Sequence, residues 1–177
     1  MTVLINKVVT VVELDDGVVF ERFVSWDGGC TNFEDVRKYI LYSEKRSVIK
    51  RRQFLVLEGG EEVDIPILEV LNILPNRTGF LVVFEKEPSR FSVPVAPWFF
   101  SYPDNAAVYN SDGSLRFQLH NIYGQDGYIG AMHSGAVSDH PDKLGVLVGT
   151  VGHEPEWLYL VDPNSPELIF TGKWIRY

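Results

Sequence analysis

Residues 107–119, AVYNSDGSLRFQL, carry the strongest structural signal in the chain. An apolar run ends at Asn110, and Asp112-Gly113 follows with the positive φ that a tight turn needs. Leu115, Phe117 and Leu119 then alternate with polar residues, which is typical of a half-buried strand. The stretch therefore predicts a β-hairpin.

The C-terminal part around this hairpin shows no sustained helical period. Short β-prone runs alternate with turn residues, and they predict strands at residues 106–110, 114–120, 145–151, 157–161 and 168–177. We therefore expect an antiparallel β meander over residues 106–177. Residues 123–143 are rich in Gly, His and Asp and have little period, so we expect a long irregular loop there, the default place for function.

The N-terminal part mixes strand and helix patterns. Asp15-Asp16-Gly17 separates two valine-rich runs, which predicts a hairpin of residues 8–14 and 18–24. Thr31 and Glu34 fit a capping box, so we expect a helix from Asn32 to Tyr42. Asp64 and the apolar spacing after it predict a second helix within residues 61–72, between strands at 53–57 and 80–84.

Residues 88–105 differ in composition from both sides. Four prolines alternate with aromatic residues here, and proline resists helix and removes backbone donors. We expect an extended crossover whose aromatics either pack between the halves or form an exposed binding strip. The predicted fold is therefore α+β: a mixed N-terminal subdomain with about two helices over residues 1–87, the crossover over 88–105, and an antiparallel β subdomain over 106–177.

Charge and composition exclude several classes of function. A formal net charge of −8 argues against nucleic-acid binding, which depends on clustered Lys and Arg. The basic run at residues 45–52 is either a solvated helix end and strand edge or a recognition patch. No apolar run has the length of a membrane helix, and no export signal is visible. The single cysteine, Cys30, fits a reducing compartment, so we expect a cytoplasmic protein.

Cys30 is a candidate nucleophile. It directly precedes the first predicted helix, whose dipole can activate a thiol, and four histidines follow later in the chain. A cysteine-dependent hydrolase that uses Cys30 with His133 or His153 is therefore an alternative function. The sequence motifs of papain-like and cell-wall peptidases do not surround this cysteine.

Metal and nucleotide chemistry have weaker signals. The loop residues with metal-ligand atoms show no spacing that fixes a coordination geometry; they are His133, Asp139, His140, Asp142, His153 and Glu154. The glycines of residues 124–135 are not followed by the Lys-Ser or Lys-Thr of a phosphate loop. We predict no metal site and no cofactor.

Two stretches resemble a known class of bacterial proteins. Residues 108–117, VYNSDGSLRF, are similar to the Tyr-Asp hairpin of Rhs-type repeats. The ending EWLYLVDP at 156–163, then ELI at 167–169 and Thr171-Gly172, resembles the tails of immunity proteins, small acidic proteins encoded beside polymorphic toxins of the Rhs or type VI secretion kind. The resemblance covers only the C-terminal half. It implies neutralisation of a toxin in the cytoplasm by direct binding.

We therefore predict a non-enzymatic, acidic binding protein whose partner is a protein with a basic surface. Complementary charge raises the association rate and the specificity of such a contact, and aromatic side chains within a polar rim are typical anchors. The predicted contact residues are Tyr123, Asp126, Tyr128, Asp139, Asp142, Glu154, Glu156 and Trp157.

Overall fold

The computed structural model describes residues 3–134, 139–150 and 152–175, without the side chains of His153 and Glu154. These residues form twelve strands in three antiparallel four-stranded sheets, one α-helix and one short 3-10 helix. The predicted α+β class with two helices is therefore wrong, because the described part of the protein is mostly β. Neither of its helices has the length and hydropathy that a bilayer crossing needs.

The N-terminal sheet consists of β1 (Ile5–Leu14), β2 (Val19–Ser25), β3 (Val48–Leu57) and β4 (Glu62–Ile65), in the order β2-β1-β3-β4. The hairpin predicted around Asp16-Gly17 is confirmed. Gly17 has a φ of 81° and donates its N–H to the carbonyl oxygen of Leu14. This turn places β2 at one edge of the sheet.

Helix α1 (Phe33–Ser43) follows β2, which confirms the first predicted helix. Asn32 caps it instead of Thr31, since Asn32 Oδ1 accepts from the N–H of Asp35 at 2.9 Å. Thr31 Oγ1 accepts from the N–H of Phe23 in β2 at 2.8 Å. The hydroxyl that suggested a capping box therefore ties the helix entry to the sheet.

The second predicted helix, residues 61–72, is a strand followed by an irregular segment. In β4, Ile65 is buried in the core while Asp64 is exposed, so the pattern has a period of two. The buried Gln53 side chain then donates to the carbonyl oxygens of Ile67 at 3.1 Å and Glu69 at 2.9 Å. Strand β3 and its Gln53 side chain thus provide hydrogen-bond partners for the backbone of this segment. A short isolated helix would be only marginally stable in water.

The central sheet consists of β5 (Asn72–Ile73), β6 (Gly79–Val83), β7 (Ala106–Asn110) and β8 (Leu115–Gln118), in chain order. The hairpin predicted within residues 107–119 is confirmed as β7–β8. Gly113 has a φ of 84°, and the N–H of Asn110 donates to Ser114 O at 2.9 Å. The sheet takes two strands from each side of the segment 88–105.

The C-terminal sheet consists of β9 (Gly127–Met132), β10 (Leu144–Thr150), β11 (His153–Val161) and β12 (Leu168–Ile175), in the order β12-β11-β10-β9. The prediction of irregular structure throughout residues 123–143 is wrong for its first part, where a 3-10 helix (Gly124–Asp126) leads into β9. Strand β9 pairs with β10 along its length and forms an edge of the sheet.

The three sheets stack as layers with the central sheet in the middle. Phe80, Val82 and Tyr109 of the central sheet pack against the N-terminal sheet. The alternating residues Leu81 and Val108 pack against the C-terminal sheet. Because successive side chains of a strand point to opposite faces, β6 and β7 are buried on both sides.

The aromatic residues of the segment 88–105 pack on the first of these cores. Trp98, Phe99 and Phe100 are partly buried against it. The ring of Trp98 stacks on that of Tyr109 with centroids 6.3 Å apart, and the Tyr109 hydroxyl donates to Pro97 O at 2.5 Å. Of the two interpretations of these aromatics, the structure therefore supports packing.

Candidate functional site

The structure brings Tyr128 and Glu156, two of the predicted contact residues, into direct contact. The Tyr128 hydroxyl donates to Glu156 Oε1 at 2.7 Å, and the Tyr128 ring stacks on Tyr102 with centroids 5.8 Å apart. The ring also covers Gly149, where any Cβ would collide with it. These contacts hold Tyr128 flat against the C-terminal sheet, so it is not a projecting anchor.

Tyr123 and Trp157 form a second group, on the side of the C-terminal sheet that faces the core. Both are half-buried and pack against the core between the central and C-terminal sheets. The hydroxyl oxygens of Tyr123 and Tyr159 lie 3.4 Å apart, and the rings of Trp157 and Phe170 have centroids 5.4 Å apart. The main role of these two aromatics is therefore packing.

Most of the acidic residues predicted for the C-terminal contact surface have a partner within the protein. Asp139 lies 3.0 Å from Lys173 Nζ and Asp142 lies 2.5 Å from Lys143 Nζ, and these contacts lower the pKa of both carboxyls. Asp126 is exposed in the 3-10 helix, and the Glu154 side chain lies outside the described residues. Ion pairs at the surface contribute little stability, but they cancel much of the field that a partner would feel.

The structure does not bring Cys30 together with a histidine. Cys30 is exposed and forms an isolated bridge with Val24 at the edge of the N-terminal sheet. His133 follows β9 directly and His153 lies in β11, so both belong to the layer on the far side of the central sheet; the His153 side chain lies outside the described residues. No histidine lines the cavity beside Cys30 in the described part of the chain.

A larger acidic site lies elsewhere. A cleft of about 880 Å³ opens between β4 and the turn that joins β7 to β8. We call it the acidic cleft, because its lining contains the four carboxylates of Glu61, Glu62, Asp64 and Asp112.

Arg116 is the cation in the lining of the acidic cleft, and its guanidinium is already hydrogen-bonded within the protein. It donates to Asn110 Oδ1 at 2.8 Å, to Pro163 O at 2.8 Å and to Thr78 O at 2.9 Å. These bonds tie the β7–β8 turn to the loops after β5 and β11. Arg116 therefore shapes the wall of the cleft without forming an ion pair with its carboxylates in the described part of the chain.

The carboxylates of the cleft are not equivalent. Arg52 reaches Asp64 at 2.6 Å and Glu62 at 3.5 Å. Glu61 and Asp112 have no ion pair among the described residues. The hydroxyl and N–H of Ser114 donate to Asp112 Oδ1 at 2.6 and 2.9 Å, which lowers the pKa of Asp112 and keeps it ionised. Glu61 and Asp112 are thus the two negative charges left for a partner.

The backbone of β4 offers a second means of binding at this site. β4 is the last strand of its sheet, and along its length it pairs only with β3 in the described structure. Every second residue of such a strand directs its N–H and C=O away from the sheet, where another strand can bind them. An open strand edge therefore lies beside the acidic cleft.

The sequence does not predict the acidic cleft, because the apolar spacing within residues 61–72 predicts a helix. A helix would have spread Glu61, Glu62 and Asp64 around its surface. The signal for a strand was present in Val63 and Ile65, which alternate with Glu62 and Asp64. That alternation covers only four residues, too few to outweigh the helical spacing of the apolar residues that follow.

The described residues thus form a mostly-β protein of three stacked antiparallel sheets with one α-helix. No protein-family model, no curated protein and no solved structure matches this chain.

Proposed function

We propose that this protein is a non-enzymatic binding protein whose acidic cleft takes up a basic segment of a partner protein. The observation that carries the proposal is the coincidence of unpaired carboxylates with an open strand edge. Glu61, directly before β4, and Asp112, in the β7–β8 turn, line the same cleft, as do residues of β4. Charge and backbone hydrogen bonds can thus act on the same segment.

The charge of the cleft selects the partner. Carboxylates in a concave site focus the negative potential and raise the rate at which a cationic segment arrives. The chain as a whole carries 24 acidic against 16 basic residues, which adds to the attraction. A segment with Lys or Arg at alternate positions suits the site best, since alternate side chains of a bound strand point to the same side.

The open edge of β4 provides the second part of the affinity. Addition of a strand to a sheet edge is a common way to bind a peptide, because main-chain hydrogen bonds give affinity while side-chain sites give specificity. The four residues of β4 suffice for a short strand of this kind. The partner would extend the N-terminal sheet beyond β4.

The finer part of the proposal comes from the resemblance to immunity proteins. We propose that the partner is a toxin with a basic surface, and that the protein neutralises it in the cytoplasm by occupying that surface. The C-terminal contact residues predicted from sequence form a second, weaker candidate surface. Asp126 is the one of them that is exposed and has no ion pair among the described residues.

The experiment is co-purification with the protein encoded by the adjacent gene, at low and at high salt. The variant Glu61→Lys/Asp112→Lys reverses the two unpaired charges of the cleft. We expect it to weaken binding at least about tenfold at low salt, equivalent to about 1.4 kcal/mol. High salt should weaken the wild-type complex and reduce the difference in affinity between the wild type and the variant.

The matched control is Asp126→Lys/Asp139→Lys, which reverses two charges on the C-terminal surface. We expect this control to bind within about threefold of wild type, since neither of its charges lines the acidic cleft. If the control loses binding and the cleft variant does not, the contact lies on the C-terminal surface. If neither variant changes binding, the charge-based proposal is wrong. Protection of growth against the co-expressed partner tests neutralisation separately.

A further inference from the structure

A smaller cavity lies on the face of the N-terminal sheet that points toward the protein interior, beside the start of α1. It has a volume of about 280 Å³. Arg22 of β2 and Arg51 of β3 line it, and Thr10 of β1 lies between these strands. Cys30 and Val36 form one wall. We call it the Arg22–Arg51 pocket.

The two arginines of this pocket have no carboxylate partner among the described residues. Arg46, Arg52 and Arg77 each form an ion pair with a carboxylate. Neither Arg22 nor Arg51 does so in the described residues, although both are half-buried. No Asp or Glu lines the pocket among those residues.

The guanidinium of Arg51 also lacks a hydrogen bond. Arg51 Nε is buried and has no hydrogen-bond partner in the described part of the chain. The Arg22 guanidinium lies over the ring of Tyr39, 4.8 Å from its centroid, which orients it without neutralising it. A buried donor on a charged group costs free energy unless an acceptor reaches it. The pocket therefore holds two cations without a carboxylate partner among the described residues, and one of them has a buried unpaired donor, which indicates a site for an anion.

The rest of the pocket is fixed and mostly apolar. Thr10 Oγ1 donates to Gln53 Oε1 at 2.9 Å, and the Gln53 amide holds the segment before Val70 through the carbonyl of Glu69 at 2.9 Å. Val70 and Leu71 also line the pocket. A ligand thus meets both cationic groups and aliphatic side chains.

We propose that the Arg22–Arg51 pocket binds a small organic carboxylate with an apolar body. A carboxylate matches the planar fork of a guanidinium through two parallel hydrogen bonds. At the roughly 30 Å³ that one water-sized group occupies in a liquid, the pocket holds about nine non-hydrogen atoms, the size of benzoate. This site is independent of the acidic cleft, which lies on another part of the N-terminal sheet.

Cys30 provides the readout, because it lines the pocket and is the only cysteine of the chain. Its rate of alkylation by the neutral reagent iodoacetamide is measured with benzoate, with benzamide, and with inorganic phosphate. Benzamide has the shape of benzoate without its charge, and phosphate has charge without an apolar body. At ten times the benzoate dissociation constant about one site in eleven is empty, so alkylation should slow by up to about tenfold.

Three variants test which residues are responsible for the protection of Cys30 by benzoate. Arg22→Gln and Arg51→Gln should each remove most of the protection by benzoate. The control Arg52→Gln changes the neighbouring residue, which belongs to the opposite face of β3, and should keep the protection. Thermal unfolding of each variant shows whether it is folded.

The outcomes that overturn the proposal are specific. Equal protection by benzamide would show that the arginines do not recognise charge, and equal protection by phosphate would show that the apolar walls do not matter. No protection by benzoate at about 10 mM, ten times the concentration that half-fills a millimolar site, together with no rise in the Tm of the wild-type protein at that concentration, would exclude the ligand class, because a bound ligand stabilises the folded state even where it leaves the exposed Cys30 thiol accessible. Equal loss of protection in Arg52→Gln would exclude the assigned geometry.

Discussion

Asn105 holds two of the three layers together through one buried side chain. It is fully buried at the start of β7. Its Nδ2 donates to Phe84 O at 2.7 Å and to Ile129 O at 2.8 Å, and its Oδ1 accepts from the N–H of Ile129 at 2.9 Å. The amide thus connects the end of the central sheet to β9 of the C-terminal sheet. We predict that Asn105→Ala is strongly destabilising.

The magnitude follows from the three hydrogen bonds. Each contributes about 1 kcal/mol, and each backbone group left buried without a partner adds a further cost, so the expected loss is about 3 to 4 kcal/mol. Such a loss is a large part of the roughly 5 to 15 kcal/mol by which a domain is stable. For a chain of this size it corresponds to a decrease in Tm of about 10 °C.

The assay is equilibrium unfolding in urea, followed by tryptophan fluorescence. Asn76→Ala is the matched control, because Asn76 is exposed and its Oδ1 accepts only from the N–H and hydroxyl of Thr78. We expect the control to lose less than about 1 kcal/mol. A loss below about 1 kcal/mol in Asn105→Ala, or equal losses in the two variants, would refute the assigned role of the amide.

Two further predictions concern the central sheet. Gly79→Ala should lower the free energy of unfolding by more than about 3 kcal/mol or prevent folding, because the new Cβ would collide with the Tyr109 carbonyl oxygen. The control Gly59→Ala places its Cβ in open space and should change the free energy of unfolding by less than about 1 kcal/mol, as measured by urea unfolding of both variants. Burial raises the pKa of Tyr109, so above about pH 10 the unfolded chain releases a proton that the folded chain keeps, and stability should fall by up to about 1.4 kcal/mol per pH unit. In Tyr109→Phe this decrease between pH 10 and 12 should be shallower, and an unchanged slope would contradict the assigned burial.

The hairpins and the helix could be predicted because their signals are local. Asp16-Gly17 and Asp112-Gly113 supply the backbone conformation of each turn within two residues, and acidic residues follow the helix cap directly. Strand β9 could not be predicted because its local sequence signal is weak. Gly127 and Gly130 remove side chains that would have shown its alternation.

The candidate site could not be predicted because its parts are distant in sequence. Glu61 and Asp112 meet only when β4 and the β7–β8 turn lie side by side in the fold. Likewise, Asp139 and Lys173 form their ion pair only because the chain returns along β12. The predicted C-terminal contact surface therefore carries less unpaired negative charge than its sequence indicates. The sequence shows that these residues are acidic, but their pairing is a property of the fold.

The middle layer also constrains how this sequence can diverge. In the outer sheets, one side of most strands meets water, so substitutions compatible with the fold can accumulate at alternate positions. Residues 80–82 and 106–109 have no such freedom, because each of their side chains is enclosed by one neighbouring sheet or the other. Over long evolutionary times these two short blocks should remain aliphatic, aromatic or small while the surrounding strands drift.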